Sequence, residues 1–165
     1  MTLEDEIRHI AEQERRLELP RFDETDAWKL GTILKTLAES RGQAVFVEIR
    51  KVRETVFAYA MPGTGPNNID WARRKRNAVE LLQRSSYGIG RTLQRDNTSL
   101  ETRMGLPTRD YASHGGGFPI KVAGVGVVGA VTVSGLPQRD DHDLVVEALA
   151  QMAGVPLAEI ALPVA

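Results

Sequence analysis

The segment HGGGFPI, from His114 to Ile120, joins a chemically versatile side chain to three consecutive glycines. An imidazole can act as a general acid or base, ligate a metal or a heme iron, or anchor an anionic group. Glycines in series cost backbone entropy, and their amides can converge into a concave site for a carboxylate or a phosphate. The segment therefore predicts a ligand-binding site. The alternative is a kinked start to an edge strand whose first residue is Pro119.

A second group of candidates lies in WARRKRNAV, where four cations follow one another from Arg73 to Arg76. Four consecutive residues cannot share one helical face. Lys75 falls on the apolar stripe with Trp71 and Leu82, so it either extends along its stem to solvent or meets an anion in a pocket. Extension to solvent is the favoured interpretation.

Histidine and aspartate also occur together near the last predicted helix, where Asp141 precedes His142. Both His114 and His142 are candidate acid–base residues, and with Asp110 they could meet around a metal ion. Their spacing is not a recognised ligand pattern, so His114 is the weak metal candidate and the aspartates are predicted to cap the helix.

Other catalytic motifs are absent from the 165-residue sequence. The glycine run precedes a strand and no Lys-Ser/Thr follows it, so it is neither a phosphate-binding loop nor a dinucleotide fingerprint. There is no Gly-x-Ser-x-Gly elbow, and with no cysteine there is no thiolate chemistry or disulfide framework.

The composition indicates one globular domain, residues 1–165, whose N-terminal helix within 1–20 could contact another subunit. A net charge of −1 gives no bias toward nucleic acid, and no apolar run reaches the length of a membrane helix. The acidic N-terminus is not a secretory signal. We therefore predict a cytoplasmic protein with no nucleic-acid or membrane partner.

Hydrophobic periodicity predicts the order α-α-β-β-α-α-β-β-α, in an α+β sandwich of the profilin or PAS/GAF kind. The predicted helices cover about 3–16, 22–42, 69–83, 86–95 and 141–152, and residues 96–113 are assigned to irregular structure. The predicted strands cover about 44–50, 54–61, 119–123 and 125–134. In the last strand Val125, Val127, Val131 and Val133 would share one face, and a helix, a ligand or another subunit would cover the small residues opposite.

Four segments, WARRKRNAV, RSSYGIG, DYASHGGGFPI and GVGVVGAVTVSGLPQRDDHDLVVEAL, resemble the heme-degrading-domain superfamily. The match runs from about Ala27 to Ala150 and is nearest to an uncharacterised cytosolic branch found in bacteria and fungi. Relatives have a KA-x-TA motif where this chain has Lys75-Arg76-Asn77-Ala78, and their Gly-Gly-x-Pro-Ile segment corresponds to residues 116–120.

The resemblance implies a five-stranded antiparallel sheet flanked by helices, assembly into a homo-oligomer, and heme as a possible cofactor. We therefore expect a small-molecule-binding protein, with heme or tetrapyrrole binding or degradation as one form of that function. A non-catalytic oligomeric adaptor and an enzyme acting on a small organic acid remain alternatives. The predicted ligand-binding residues are Lys75, Arg74, Tyr87, His114, Gly115, Gly116, Gly117 and Phe118.

Overall fold

The computed structural model describes residues 1–164 as an α+β fold built on one five-stranded sheet. The helices are α1 (Leu3–Arg16), α2 (Glu24–Ser40), α3 (Pro66–Leu82), α4 (Ser86–Arg95), α5 (Leu100–Met104) and α6 (Gln138–Ala153). The strands are β1 (Glu18–Leu19), β2 (Phe46–Lys51), β3 (Glu54–Ala60), β4 (Gly117–Val122) and β5 (Gly126–Ser134). A short 3-10 helix covers Leu157–Glu159.

The sheet order is β1-β4-β5-β2-β3. The β4–β5, β5–β2 and β2–β3 pairs are antiparallel, as the two predicted hairpins require. The two-residue β1 pairs in parallel with the end of β4, so the prediction of an all-antiparallel sheet was wrong for this one pair. Such a short strand carries no periodicity of its own, and the predicted order therefore lacked it.

Local signals set the helix ends. Thr2 and Asp5 form a reciprocal capping box, and α1 begins and ends where its pattern predicts. Gly42 and Gly154 adopt left-handed backbone just beyond α2 and at the C-cap of α6. The assignment of residues 96–113 to irregular structure was wrong for α5, which Ser99 caps by accepting a hydrogen bond from the Thr102 amide.

Helices cover both faces of the sheet. α2 and α6 pack on one face, where the main core contains Leu30 and Leu34 of α2 and Leu144 of α6. α3 lies on the other face against β4, β5 and β2. α1 packs on α4 and buries Ile10 there, so its apolar side is used within the chain.

A β-bulge changes the predicted faces of β5. Ile120 of β4 pairs with Gly129 and Lys121 pairs with Val127, which leaves Val128 as an extra residue. Val128 therefore joins Val131 in the main core, and the prediction that Val127 shares their face was wrong.

The small residues of β5 lie under α3, as the packing interpretation predicts. Ala130 and Thr132 are fully buried there. At Gly129 a Cβ would lie 2.0 Å from the Arg50 carbonyl oxygen of β2, so close packing within the chain explains that glycine.

Pro119 is the third residue of β4, not the first as predicted. It is tolerated because β1 pairs only with Lys121 and Val122, beyond it. Among the described residues, no helix combines the length and the apolar character needed to cross a bilayer.

Candidate functional site

A cavity of about 250 Å³ opens where the N-terminal ends of α3 and α6 approach the last residues of β5. It is lined by Asn67, Asn68, Trp71, Lys75, His114, Ser134, Gly135, Leu136, Gln138 and Asp141. We call this the His114 cavity. Because a helix carries partial positive charge at its N-terminus, two helices contribute positive potential here.

Lys75 and Asp141 form a buried ion pair at this cavity. The Lys75 Nζ lies 2.9 Å from Asp141 Oδ2, and the two side chains are 5% and 1% exposed. Lys75 therefore does not extend to solvent, and that interpretation was wrong. Lys75 instead pairs with a carboxylate of the protein itself, and its contact with a ligand anion stays a prediction.

Further hydrogen bonds hold this pair in place. Lys75 Nζ donates to the Val133 carbonyl at 3.1 Å, and Asp141 accepts from the amides of Leu136 and Gly135. Burial lowers the pKa of Lys75 and raises that of Asp141, while their attraction opposes both shifts. An ammonium has three donors, and residues 1–164 supply acceptors for two of them.

His114 is exposed and lies against an aromatic wall. Its ring is 5.0 Å from the Trp71 ring in an edge-to-face arrangement. Partial burial lowers the pKa of His114, and the positive charges of Lys75 and Arg74 add to the shift. The imidazole is therefore biased toward its neutral form, which can accept a hydrogen bond or ligate a metal.

Arg74 supports this wall from outside the cavity lining. Its guanidinium stacks 4.4 Å from the Trp71 ring centre and donates to the Thr108 carbonyl. Ligand binding by Arg74 stays a prediction, because the contacts of its guanidinium in this structure are to Trp71 and Thr108.

The glycines next to His114 are packed against the protein itself. The Gly115 amide donates to Gln138 Oε1 at 3.2 Å, and the Gly117 amide donates to Ser86 Oγ at 2.9 Å. A Cβ on Gly115 would lie 2.2 Å from the Gln138 carbonyl oxygen, and one on Gly116 would lie 2.3 Å from that of Val133. Two of the three amides expected to converge in an anion nest are therefore bonded within the protein, and close backbone approach explains Gly115 and Gly116.

Tyr87 and Phe118 were predicted as cavity walls but lie in the interior. Tyr87 donates its hydroxyl to Glu6 Oε1 at 2.7 Å, and burial together with that carboxylate raises its pKa to about 12. Phe118 is 1% exposed within the main core. A buried phenol needs a hydrogen-bond acceptor, and Tyr87 finds it in Glu6, away from the cavity. Successive residues of a strand point to opposite faces, and Phe118 points into the main core.

His142 is fully buried, with its ring 4.9 Å from that of Tyr87. Burial lowers the pKa of His142 to about 3. It cannot reach an external substrate, and the acid–base hypothesis for it was wrong. Asp110 instead pairs with Arg73 at 2.9 Å.

The metal site suggested for His114, His142 and Asp110 does not form. Within residues 1–164, no three His, Cys, Asp or Glu side chains lie close enough together to hold a metal ion.

The sequence did not single out three polar residues of the cavity, Asn67, Asn68 and Gln138. Asn68 caps α3 by accepting from the Gly65 amide, and Gln138 is the first residue of α6. A Gly-Pro-Asn-Asn start is a helix N-terminal signal, and it could have been noted before the fold was known. That the N-terminal ends of α3 and α6 meet, however, depends on the tertiary fold and is not visible in the sequence.

Comparison with known proteins identifies the class of protein that has this fold. The sequence matches the family described as "Haem degrading protein HbpS-like" over residues 22–150. The chain belongs to that family.

The relatives within it include proteins called UPF0303. One from Azotobacter vinelandii is 54% identical over 162 residues, covering 98% of each chain. Another, from Acidobacterium capsulatum, is 46% identical over 163 residues and 99% of each chain.

Solved structures share the fold at lower identity. The Ybr137w protein aligns with a TM-score of 0.82 at 24% identity, covering 93% of this chain and 88% of its own. HbpS aligns at 0.63 with 21% identity, covering 79% and 89%. A PduOC:heme complex aligns at 0.67 with 18% identity, covering 78% and 93%. The expected superfamily and its five-stranded sheet are thus confirmed.

Proposed function

We propose that the protein binds a small polar molecule with an anionic group in the His114 cavity. The observation that carries the proposal is the buried Lys75 ammonium, which has one donor without an acceptor among the described residues. The N-termini of α3 and α6 add positive potential. His114 and Trp71 would contact the rest of the ligand.

The size and polarity of the cavity support a small ligand. Its volume of about 250 Å³ lies below the roughly 300–1,000 Å³ typical of pockets for drug-sized molecules. A short dicarboxylate such as succinate would place one carboxylate at Lys75 and the other near the amide groups of Asn68 and Gln138.

Tryptophan fluorescence tests this proposal, because the chain has two tryptophans and one of them, Trp71, lines the cavity. In a Trp28→Phe background, Trp71 is the single emitter. Succinate should change its emission with saturation, and Gln138→Leu should weaken binding at least about tenfold, since a hydrogen bond to a charged group contributes about 1.5–3 kcal/mol. Arg103→Gln, far along the chain on α5, is the control. The proposal fails if neither succinate nor a panel of short mono- and dicarboxylates changes the Trp71 emission.

Membership of the family favours heme as a second candidate, but the residues present do not enclose a porphyrin. The His114 cavity is small, and most of its lining residues are polar. Heme would have to lie across the mouth, where the exposed His114 imidazole could reach the iron. Hemin titration checks this: a Soret shift that His114→Ala abolishes supports heme, whereas a shift that His114→Ala does not alter excludes this residue as the ligand.

We further infer that copies of the chain associate through the edge of β3. In the described part of the chain β3 has no strand beyond it, and next to it Trp28 is 69% exposed and Tyr59 39%. Trp28 contacts Phe57 edge-to-face at 5.8 Å, which makes a continuous apolar surface. Phe57→Lys should lower the mass measured by light scattering. Val125→Lys, at the exposed tip of the β4–β5 hairpin, should not.

A further inference from the structure

Lys75 differs from the other lysines of the chain in its surroundings. All five lysines lie within the described residues, and only Lys75 is buried. Hydrogen bonds to Glu39 and Glu24 raise the pKa of Lys35 and Lys51 at the surface, whereas burial lowers the pKa of Lys75. An amine that has lost its proton is a nucleophile, so Lys75 is the lysine whose environment favours covalent chemistry.

A group that can exchange a proton with this amine lies in direct contact with it. Asp141 Oδ2 is 2.9 Å from Lys75 Nζ, and burial raises the pKa of the carboxyl while it lowers that of the amine. Transfer of a proton from Lys75 to Asp141 turns two buried charges into two neutral groups, so it costs less here than in water. The Val133 carbonyl and the amides of Gly135 and Leu136 hold the two side chains in place for this transfer.

The same cavity offers hydrogen-bond donors for a carboxylate. Both members of the ion pair line the His114 cavity, as do Asn68 and Gln138. Gln138 Oε1 accepts from the Gly115 amide and Asn68 Oδ1 accepts from the Gly65 amide. Because the carbonyl ends of these two side chains are bonded to backbone amides, their NH₂ ends remain as donors. A carboxylate accepts such bonds, whereas a ligand cation would find no charged partner at these two groups.

We propose that Lys75 forms a Schiff base with the carbonyl carbon of a short oxo acid bound in the His114 cavity. This inference rests on the proposed function, because the ligand occupies the same cavity, and it names the ligand class as an aldehyde or ketone with a carboxylate a few carbons away. The carboxylate would accept from the NH₂ groups of Asn68 and Gln138, and the carbonyl would lie at Lys75. The volume of about 250 Å³ limits the ligand to a short chain.

The reaction needs only the ion pair and the ligand. In the neutral pair, the Lys75 amine attacks the carbonyl carbon, and the carbonyl oxygen takes the proton from Asp141. The nitrogen then returns a proton to the Asp141 carboxylate, which gives a neutral carbinolamine. The nitrogen lone pair expels the hydroxyl group, which leaves as water with the Asp141 proton. The product is an iminium on Lys75 paired with the Asp141 carboxylate, and no oxidant or reductant is consumed.

Trapping with sodium borohydride tests the proposal on the wild-type chain. Borohydride reduces an imine to a stable secondary amine, so incubation with the keto acid levulinate followed by borohydride fixes any Schiff base. Intact mass spectrometry should show one levulinate-derived group on the protein, and peptide mapping should place it on Lys75. Lys29 and Lys35 are internal controls, because they carry the same amine outside the cavity. The mapping does not depend on the stability of any Lys75 variant.

Two variants and a competitor link the adduct to the cavity. Gln138→Leu should slow adduct formation at least about tenfold, because it removes a hydrogen bond to the carboxylate, whereas Arg103→Gln should leave the rate unchanged. Excess succinate should also slow it.

The outcomes separate this inference from the proposed function. No adduct, or modification of Lys29 and Lys35 to the same extent as Lys75, would overturn the Schiff-base inference. If succinate nevertheless changes the Trp71 emission, the proposed function stands and this inference alone fails. An adduct confined to Lys75 that succinate does not slow would support the covalent chemistry and count against succinate as a ligand of the cavity.

Discussion

Replacing His142 with leucine should change how acid affects stability. Gln13 Nε2 donates to the Ile160 carbonyl at 2.8 Å, so Gln13 Oε1 faces His142 Nε2 at 2.8 Å and accepts its hydrogen. The proton of the neutral ring is therefore on Nε2. The other ring nitrogen, Nδ1, is buried without a partner in the described chain. A second proton would place a charge there with nothing to accept it.

The size of the effect comes from the difference between the folded and unfolded states. Burial lowers the pKa of His142 from 6.5 to about 3, so between these values the unfolded chain binds a proton that the folded chain does not. Stability is therefore lost as the pH falls from 6.5 toward 3. Over two pH units, at about 1.36 kcal/mol each, the loss reaches about 2.7 kcal/mol near pH 4.5.

Urea unfolding of the wild type and His142→Leu at about pH 7.5 and pH 4.5 measures this effect. At pH 7.5 the variant should be less stable by about 1–3 kcal/mol, because Gln13 Oε1 loses its donor. At pH 4.5 that difference should shrink by about 2.7 kcal/mol and can change sign. Burial raises the pKa of the Asp143 carboxyl and acts in the opposite direction, but it is common to both proteins and cancels. A difference that stays constant between the two pH values would refute this account of His142.

Two other substitutions probe the His114 cavity from within. Lys75→Met should cost about 3–5 kcal/mol of unfolding free energy, because it leaves Asp141 charged and buried, and the double variant with Asp141→Leu should recover part of that loss. A single-variant cost below about 1 kcal/mol would contradict the inferred ion pair. Gly115→Ala should lower both stability and succinate affinity, because its Cβ would displace Gln138. Gly105→Ala is the control, because no atom lies within 4 Å of the added Cβ, and it should lower stability without changing succinate affinity. Equal losses of succinate affinity in the two variants would count against the packing role of Gly115.

Sequence periodicity was sufficient for the elements that bury a long apolar stripe or carry a cap. α1 and α4 begin and end where predicted, and β2, β3 and β5 were located within two residues or so of their ends. The exceptions are informative. β1 is two residues long and forms only by pairing with the edge of β4. α5 is a capped helix of five residues. Neither has enough residues to show a period.

The candidate site was predicted only in part, because its polar residues are selected by tertiary contacts. Lys75 and His114 do line one cavity, and both were identified from their local sequence. Asp141 was assigned to helix capping, and it does accept the amides of Gly135 and Leu136, but its partner Lys75 lies 66 residues away. No local pattern reveals such a pairing. The glycine run was interpreted as open backbone because a sequence does not show whether a ligand or the protein's own carbonyls approach it.

The four consecutive cations of α3 show why a charge run does not by itself define a surface. Because neighbours on a helix differ by about 100°, each of the four points to a different part of the molecule. Arg73 pairs with Asp110, and Arg74 stacks on Trp71 beside the His114 cavity. Lys75 enters the interior.

Arg76, the fourth cation, contacts Glu48 of β2 and Glu80 of α3 itself. The run therefore contributes both to the His114 cavity and to a separate ion-pair cluster from one helix. Each charge acts through the face on which the helical repeat places it, so four consecutive cations form no continuous basic surface in this chain, whose net charge is −1.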